Sequence, residues 1–265
     1  MKIILFGSNG MLGNYLNTYL SDKHNVLALT RKDIDLANVS ENELMFFLEQ
    51  NVKKEDVIIN ACGIIKQRGY DVKDMIMVNA VFPNILAKFK EKIDCEVIHV
   101  TTDCVYSGNK GLYVESNLHD CLDDYGKSKS LGENPKITNI RTSIIGEEKL
   151  NKKSLLEWVR SNKGNTIDGY DNHLWNGVTC LELSKFINNI IENNSYWYGV
   201  RHIFSPNTVS KYELVSMINE IYDLNMTINK KTTDTNCYRN LSSNLPELIT
   251  KTLYDQILDL KKYNE

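Results

Sequence analysis

The sequence predicts an α/β protein, a doubly wound parallel sheet of the Rossmann type followed by a smaller mixed region. Three observations predict it. An apolar run, Ile3-Ile4-Leu5-Phe6, meets a glycine turn, Gly7-Ser8-Asn9-Gly10-Met11-Leu12-Gly13, and then a helical pattern to about Leu20. Short apolar runs and helical stretches then alternate as far as residue 145, the rhythm of βαβ units. Beyond that point the elements shorten and the rhythm changes.

Taken in order, residues 2–6 read as a buried strand, and the glycines after it let a backbone approach phosphates at a helix N-terminus. The spacing is Gly-x-x-Gly-x-x-Gly, which differs from Gly-x-Gly-x-x-Gly. Asn25–Thr30 is a second strand ending at Arg31. A cation in that place suits a ribose 2′-phosphate, so NADPH is expected over NADH, with Asp33 close by as the counter-signal. Ser40 and Glu43 make a capping box that opens a helix to about Gln50. Asp56–Asn60 is the third strand, followed by the small residues Ala61-Cys62-Gly63 and a loop holding Lys66 and Arg68, read as exposed charge. A helix is expected from Val72 to Lys90, with polar Asn79 on its apolar face and a kink or break near Pro83. Glu96–Thr101 is the fourth strand and places Thr102 just beyond its carboxyl end. A helix then carries Tyr125, and Ile137–Arg141 is a further strand.

In the remainder, Ser154–Asn162 and Leu181–Glu192 read as helices, Thr166–His173 as a short polar stretch, and Val200–Phe204 as a strand. Ser210 and Glu213 cap a helix to about Tyr222. Met226–Asn229 reads as a short strand, and Pro246–Leu258 as a final helix with Pro in its first turn. The expected division is 1–145 as the dinucleotide-binding domain, completed by 178–204, with 146–177 and 205–265 as the substrate-binding region.

Composition narrows the function. The 265 residues are 42% hydrophobic and 25% charged, ordinary for a globular chain. Net charge is −3 and the pI is near 6.0, which offers no nucleic-acid footprint. The apolar N-terminus is too short for a signal peptide or membrane span. The six cysteines form no Cys-x-x-Cys pair and have no His at zinc spacing, so reduced thiols, a cytoplasmic setting and no metal are expected.

The chemistry is read at Tyr125 and Lys129. Four apart on a helix, they share a face, and an ammonium beside a phenol favours the phenolate. Such a phenol can exchange a proton with an alcohol or carbonyl. The Tyr-x-x-x-Lys pattern also occurs at Tyr19/Lys23 and Tyr106/Lys110. The third copy is set apart by its surroundings, downstream of the glycine turn and 23 residues after the strand-end pair Thr102-Asp103.

Assembled in order, Gly7-x-x-Gly10-x-x-Gly13, Asn60-Ala61, Val78-Asn79-Ala80, Thr101-Thr102-Asp103-Cys104-Val105-Tyr106, Tyr125-Gly-x-x-Lys129 and Arg141-Thr142-Ser143 resemble the extended short-chain dehydrogenase/reductases. Within that family the likeness is to the dTDP-4-dehydrorhamnose reductases. The resemblance implies NADPH-dependent reduction of the C4 ketone of a nucleotide-diphosphate sugar, in deoxysugar and surface polysaccharide synthesis. It implies Thr102, Tyr125 and Lys129 as the catalytic set. It implies a cofactor groove lined by Gly7, Ser8, Asn9, Gly10, Met11, Leu12, Gly13, Arg31, Asp35, Leu36, Asn60, Ala61, Cys62, Asn79 and Thr101. Tyr125, Lys129, Thr142 and Ile144 would lie at the nicotinamide end. Substrate would meet Thr102, Asp103, Cys104, Val105, Tyr125 and Trp175.

Three departures from the family pattern bear on the substrate. Cys104 stands where the reductases usually carry Tyr, Ile144 replaces Trp, and Asp171–Thr179 differs from the usual dTDP-binding stretch. The base is thus open between dTDP and UDP, and a 2-acetamido-2,6-dideoxy sugar is admitted. The related 4,6-dehydratases carry a carboxylic acid pair after the Thr; Cys104 cannot act as that acid, which favours plain reduction. An epimerase or epimerase/reductase, and an NADP-binding regulatory subunit without catalysis, are the alternative readings. Homodimerisation is allowed for, and neither nucleic acid nor membrane is expected as a partner.

Overall fold

The computed structural model describes residues 1–65, 69, 71–150, 152–246 and 248–265. The expectation for Lys66 and Arg68 lies outside these residues. The elements run β1 (Lys2–Phe6), α1 (Met11–Ser21), β2 (Asn25–Leu29), α2 (Glu41–Asn51), β3 (Val57–Asn60) and α3 (Val72–Ile76). A π-helical turn, Met77–Val81, leads into α4 (Phe82–Ile93) and β4 (Glu96–Thr102). Next come α5 (Asp124–Gly132), β5 (Thr138–Thr142), β6 (Ile144–Ile145), α6 (Leu155–Ser161), β7 (Thr166–Tyr170), β8 (His173–Trp175) and β9 (Val178–Thr179). The chain ends with α7 (Cys180–Glu192), β10 (Gly199–His202), β11 (Val209–Ser210), α8 (Lys211–Ile221), β12 (Thr227–Lys231), β13 (Cys237–Tyr238) and α9 (Leu253–Asn264). No helix among the described residues is long and apolar enough to cross a membrane.

Two compact units result. The first comprises Met1–Val105, Cys121–Arg141 and Ser184–Arg201; the second comprises Tyr106–Asp120, Thr142–Leu183 and His202–Glu265. Residues 106–120 and 142–145, inside the 1–145 span expected for the dinucleotide half, therefore fall in the second unit.

The first unit is built on a six-stranded parallel sheet in the order β10-β5-β4-β3-β1-β2. Strands β2 and β3 flank β1, with Ile4 opposite both Leu27 and Ile58. The chain thus switches direction at β1, and the crevice beyond the carboxyl ends of β1 and β3 is where such sheets take ligands. The central strands β1 and β3 and the first half of β4 are largely apolar, as expected of a parallel sheet covered on both faces. Ile3, Ile4, Leu5, Ile58, Ile59, Val97 and Ile98 are fully buried or nearly so. Phe6 and Phe82 meet edge to face at 4.9 Å and join the strand end to the start of α4.

The helix expected over 72–90 is interrupted. The π turn inserts where Pro83 cannot donate an amide to the preceding turn, and Pro83 sits at the tolerated start of α4. The capping boxes at Ser40/Glu43 and Ser210/Glu213 form as read.

In the second unit, β7 pairs in parallel with β12, and β8 lies between β11 and β13. The stretch 166–173, read as a short polar segment, contains β7 and the start of β8. The final helix begins at Leu253, not Pro246. Thr252 accepts from the Asp255 amide, and Asn207 accepts from Leu253, so capping fixes the start. Gln256, fully buried, accepts from Thr179 and donates to Ser205, pinning α9.

Candidate active site

The glycine turn is tight for two distinct reasons. Gly7 has φ +80°, a conformation that suits only glycine comfortably, and its carbonyl accepts from Gly10 at 3.0 Å. Gly13 lets α1 press on the turn, for a Cβ there would overlap the Gly7 carbonyl. The Gly7 and Ser8 amides and the Ser8 hydroxyl all donate to the Leu29 carbonyl, tying β1 to β2. Gly10 precedes α1 as its N-cap, with no side-chain cap and no acidic residue in the first turn. Its amides and dipole are open to an anion such as a diphosphate. Asn9 is exposed, Met11 half-buried and Leu12 buried beside them.

At the end of β2 the Arg31 guanidinium forks onto Asp35, with both contacts at 3.2 Å, while Asp33 accepts from the Thr30 amide and hydroxyl. Leu36 is buried in the core.

At the end of β3, Asn60 is fully buried. Its Oδ1 accepts from Cys62 at 3.0 Å, which leaves its Nδ2 to donate to His99 Nδ1 at 3.1 Å. Ala61 donates to the Phe6 carbonyl. Burial, then the nearby Lys129, hold the His99 pKa well below the usual range, so the ring is neutral. Burial pushes the Cys62 thiol up to about 12, against an opposing pull from Lys129.

Asn79 was expected to line the cofactor groove. Its side chain is fully buried and engaged within the protein: Oδ1 accepts from the Ile64 amide at 2.9 Å, and Nδ2 donates to the Ile64 carbonyl and the Ser128 hydroxyl. It holds the loop beyond β3 against α5, a positioning task.

Helix α5 is opened by Asp123, which accepts from Gly126 at 2.8 Å. Tyr125 and Lys129 share its inner face. Lys129 is 3% exposed and donates to the Val100 carbonyl at 2.9 Å. Burial lowers its pKa to about 8, opposed by Glu133 and then Cys62. Thr102 is buried at the end of β4. Its hydroxyl donates to Asp103 at 3.2 Å and accepts from Cys104 at 3.1 Å. It is also hydrogen-bonded to the Tyr125 phenol, so strand tip and helix converge.

Here the electrostatics depart from the sequence reading. A phenol lowered by its lysine neighbour was expected. Burial, then Cys104, push the Tyr125 phenol above its ordinary range, and Thr102 pulls it only partly back. The Lys129 ammonium is held on the Val100 carbonyl, and desolvation sets the direction at the phenol. The phenol is therefore protonated at neutral pH and suited to donate. Val105 is buried, and its carbonyl accepts from Cys121.

The other two Tyr-x-x-x-Lys copies have different surroundings. Lys23 lies over the Tyr19 ring at 5.1 Å, and Tyr106 stacks on Tyr113 at 4.1 Å.

Three expected site residues belong to the second unit. Thr142 is buried and donates to Ser143; Ile144 pairs with Val178. Trp175, expected to meet substrate, is 5% exposed. Its ring packs on Gly177 under the Ser143 carbonyl, with the Lys211 ammonium 5.0 Å from its centre. Lys211 also edges a groove walled by Leu155, Trp158, Tyr170 and His173. Glu133, beside the site through Lys129, was not singled out in the sequence; its signal was its place four residues after that lysine.

Comparison with known proteins follows the same lines. The family described as RmlD substrate binding domain matches residues 1–245. A dTDP-4-dehydrorhamnose reductase of Aggregatibacter actinomycetemcomitans is 28% identical over 232 residues, 82% of this chain and 78% of its own. A crystal structure of such a reductase from Clostridium acetobutylicum superposes with a TM-score of 0.82 at 20% identity, covering 100% of this chain and 99% of that one. The corresponding Bacillus anthracis structure, in complex with NADP, gives 0.83 at 17% identity, with 100% and 99% covered. At these identities the structural likeness speaks for the fold.

Proposed function

The chain belongs to the RmlD substrate binding domain family, and from that premise we propose that it is an NADPH-dependent reductase. Its substrate is the C4 ketone of a nucleotide-linked 4-keto-6-deoxy sugar, as for the dTDP-4-dehydrorhamnose reductases it is similar to. The product would enter deoxysugar and polysaccharide synthesis.

One observation carries the reading: the Thr102 hydroxyl at the end of β4 meets the protonated Tyr125 phenol of α5, the helix that also buries Lys129. The uncapped start of α1 and the close Gly7–Gly13 approach suit a dinucleotide diphosphate. Arg31 suits a 2′-phosphate, in line with the NADP held by the Bacillus anthracis relative. NADPH, when bound, supplies the hydride. As negative charge grows on the ketone oxygen, Thr102 and Tyr125 donate hydrogen bonds to it, and Tyr125 releases its proton to form the alcohol. Lys129 is cationic below about pH 8 and adds positive charge behind the pair. Cys104 offers no carboxyl group for proton transfer at sugar carbons, which supports reduction over dehydration.

The test is NADPH oxidation with dTDP- and UDP-linked 4-keto-6-deoxy sugars, the product being identified by NMR. A 4-hydroxy product is expected. Absence of oxidation across both series, or product forming without NADPH, would overturn the reading.

A further inference from the structure

His202 is a buried histidine of the second unit, with a hydrogen-bond partner at each ring nitrogen. Nδ1 lies 2.7 Å from the Ser242 carbonyl oxygen, and Nε2 lies 3.3 Å from the Tyr106 hydroxyl. A carbonyl only accepts, so Nδ1 carries a proton. The Tyr106 hydroxyl has one proton and two claimants, the Val114 carbonyl at 3.0 Å and Nε2. With a neutral ring that proton serves one of them and leaves the other unmet. An imidazolium satisfies all: Nδ1 donates to Ser242, Nε2 donates to Tyr106, and Tyr106 donates to Val114.

A buried cation needs a counter-charge, and Glu115 stands beside it. The Glu115 carboxylate accepts from the His202 amide at 3.0 Å and from the Ser243 hydroxyl at 2.7 Å. Burial works against that charge, yet the two hydrogen bonds and the His202 ring hold the Glu115 carboxyl below its ordinary range. The other titratable groups on this side come from the same loop as Glu115. Tyr106 itself stacks on Tyr113 and meets the His119 ring edge to face at 5.7 Å. The facing segment, residues 240–243, is Asn-Leu-Ser-Ser and brings no titratable side chain.

The ring sits where two pieces of chain join. The Tyr113 amide donates to the Asn240 carbonyl at 3.2 Å, and the Ser242 amide donates to the Tyr113 carbonyl at 2.7 Å. The imidazole spans the same two pieces, with Ser242 at one nitrogen and Tyr106 at the other. In sequence, the loop 106–120 begins directly after Val105 and ends directly before Cys121.

We propose that His202 is an imidazolium at neutral pH and a pH-sensitive clamp: charged, it fastens the loop 106–120 to the segment 240–243, and neutral, it lets them part. The clamp does not depend on which reaction the chain performs. Its partners favour the charged form, which sets its midpoint above the ordinary histidine value. Its stabilisation is therefore full below ~pH 6.5, that ordinary value, and is lost as pH rises through the raised midpoint.

The test uses the full chain with 15N-labelled histidine. The His202 resonances are those lost in His202→Gln. An imidazolium shows two protonated ring nitrogens of similar shift, whereas a neutral ring shows one protonated and one bare nitrogen, far apart. Wild type should show the first pattern at about pH 7 and titrate above it. The midpoint should fall by roughly 1 pH unit in Glu115→Gln, which removes the opposite charge. If that variant does not fold, Tyr106→Phe decides, since it removes only the hydroxyl that accepts from Nε2, and its midpoint should fall as well. Hydrogen exchange at the Tyr113 and Ser242 amides, corrected for the intrinsic rate, should lose protection as pH passes the wild-type midpoint, and at lower pH in the variant. A single protonated ring nitrogen in folded wild type at about pH 7, or a midpoint unmoved in a folded variant, overturns the charged ring. Protection unchanged across the midpoint overturns the clamp.

Discussion

Nothing larger than hydrogen fits between Gly126 and Cys104: a Cβ on Gly126 would overlap the Cys104 carbonyl oxygen and stand 2.7 Å from the Cys121 Cβ. This close approach brings α5 onto the end of β4 and lets the Tyr125 phenol reach Thr102. Gly132, one helix end away, does the same against the Asn79 carbonyl of the π turn. The glycines on α5 are packing requirements of the site.

Gly126→Ala should therefore reduce both stability and turnover. Ala gains about 1 kcal/mol in helix propensity, whereas overpacking costs ~1–3 kcal/mol, so overpacking prevails. A shift of α5 by about 1 Å would lower kcat ~10²-fold. Thermal unfolding and steady-state kinetics check it; a variant with wild-type kcat would refute the packing argument.

Tyr125→Phe removes the proton donor and leaves the ring. We expect kcat to fall by ~10²–10³ with NADPH affinity unchanged. Single-turnover NADPH oxidation together with a fluorescence titration of NADPH separates the two effects.

Asn79→Ala would strip both the amide and the carbonyl of Ile64 of their side-chain partner. Each buried group left unpaired costs ~1–3 kcal/mol. Urea denaturation should show a loss of about that size per group. NADPH affinity should fall as well, because the loop beyond β3 is released.

Lys129 makes stability depend on pH in a definite direction. Its folded pKa is about 8, below the ordinary value of 10.5. Between those values the folded protein has released the proton while the unfolded chain still binds it, so stability rises with pH across that window. Lys129→Met removes this contribution. Wild-type stability measured relative to that variant should climb from about pH 8 to 10.5, at up to ~1.4 kcal/mol per unit, and be level below pH 8. A difference that stays level throughout would refute the assigned pKa.

Much of the fold was legible because its signals are local. A capping box is two hydrogen bonds among four residues, so Ser40/Glu43 and Ser210/Glu213 could be read directly. The glycine turn and the buried strands likewise declare themselves within about ten residues. Where two local signals competed, the reading slipped. Pro246 resembled a helix start, but Thr252 and Asn207 offered the acceptors that the α9 amides needed, and Asn207 is remote in sequence. The interruption near Pro83 was foreseen, but its form as a π turn was not. That form places Asn79 where it bonds both Ile64 and Ser128.

By itself, the sequence determined the β/α order, the caps, the glycine turn and the placing of Tyr125 and Lys129 on one helical face, since each depends on backbone geometry over a few residues. The tertiary structure alone decided which way the pKa values of that pair move. The direction of a pKa shift depends on what distant strands remove from water, and the phenol was raised where a neighbouring ammonium had suggested lowering. It also decided that Glu133 meets Arg141 and Thr101, and that Trp175 lies under Lys211, because those partners come together only when separate strands and helices pack.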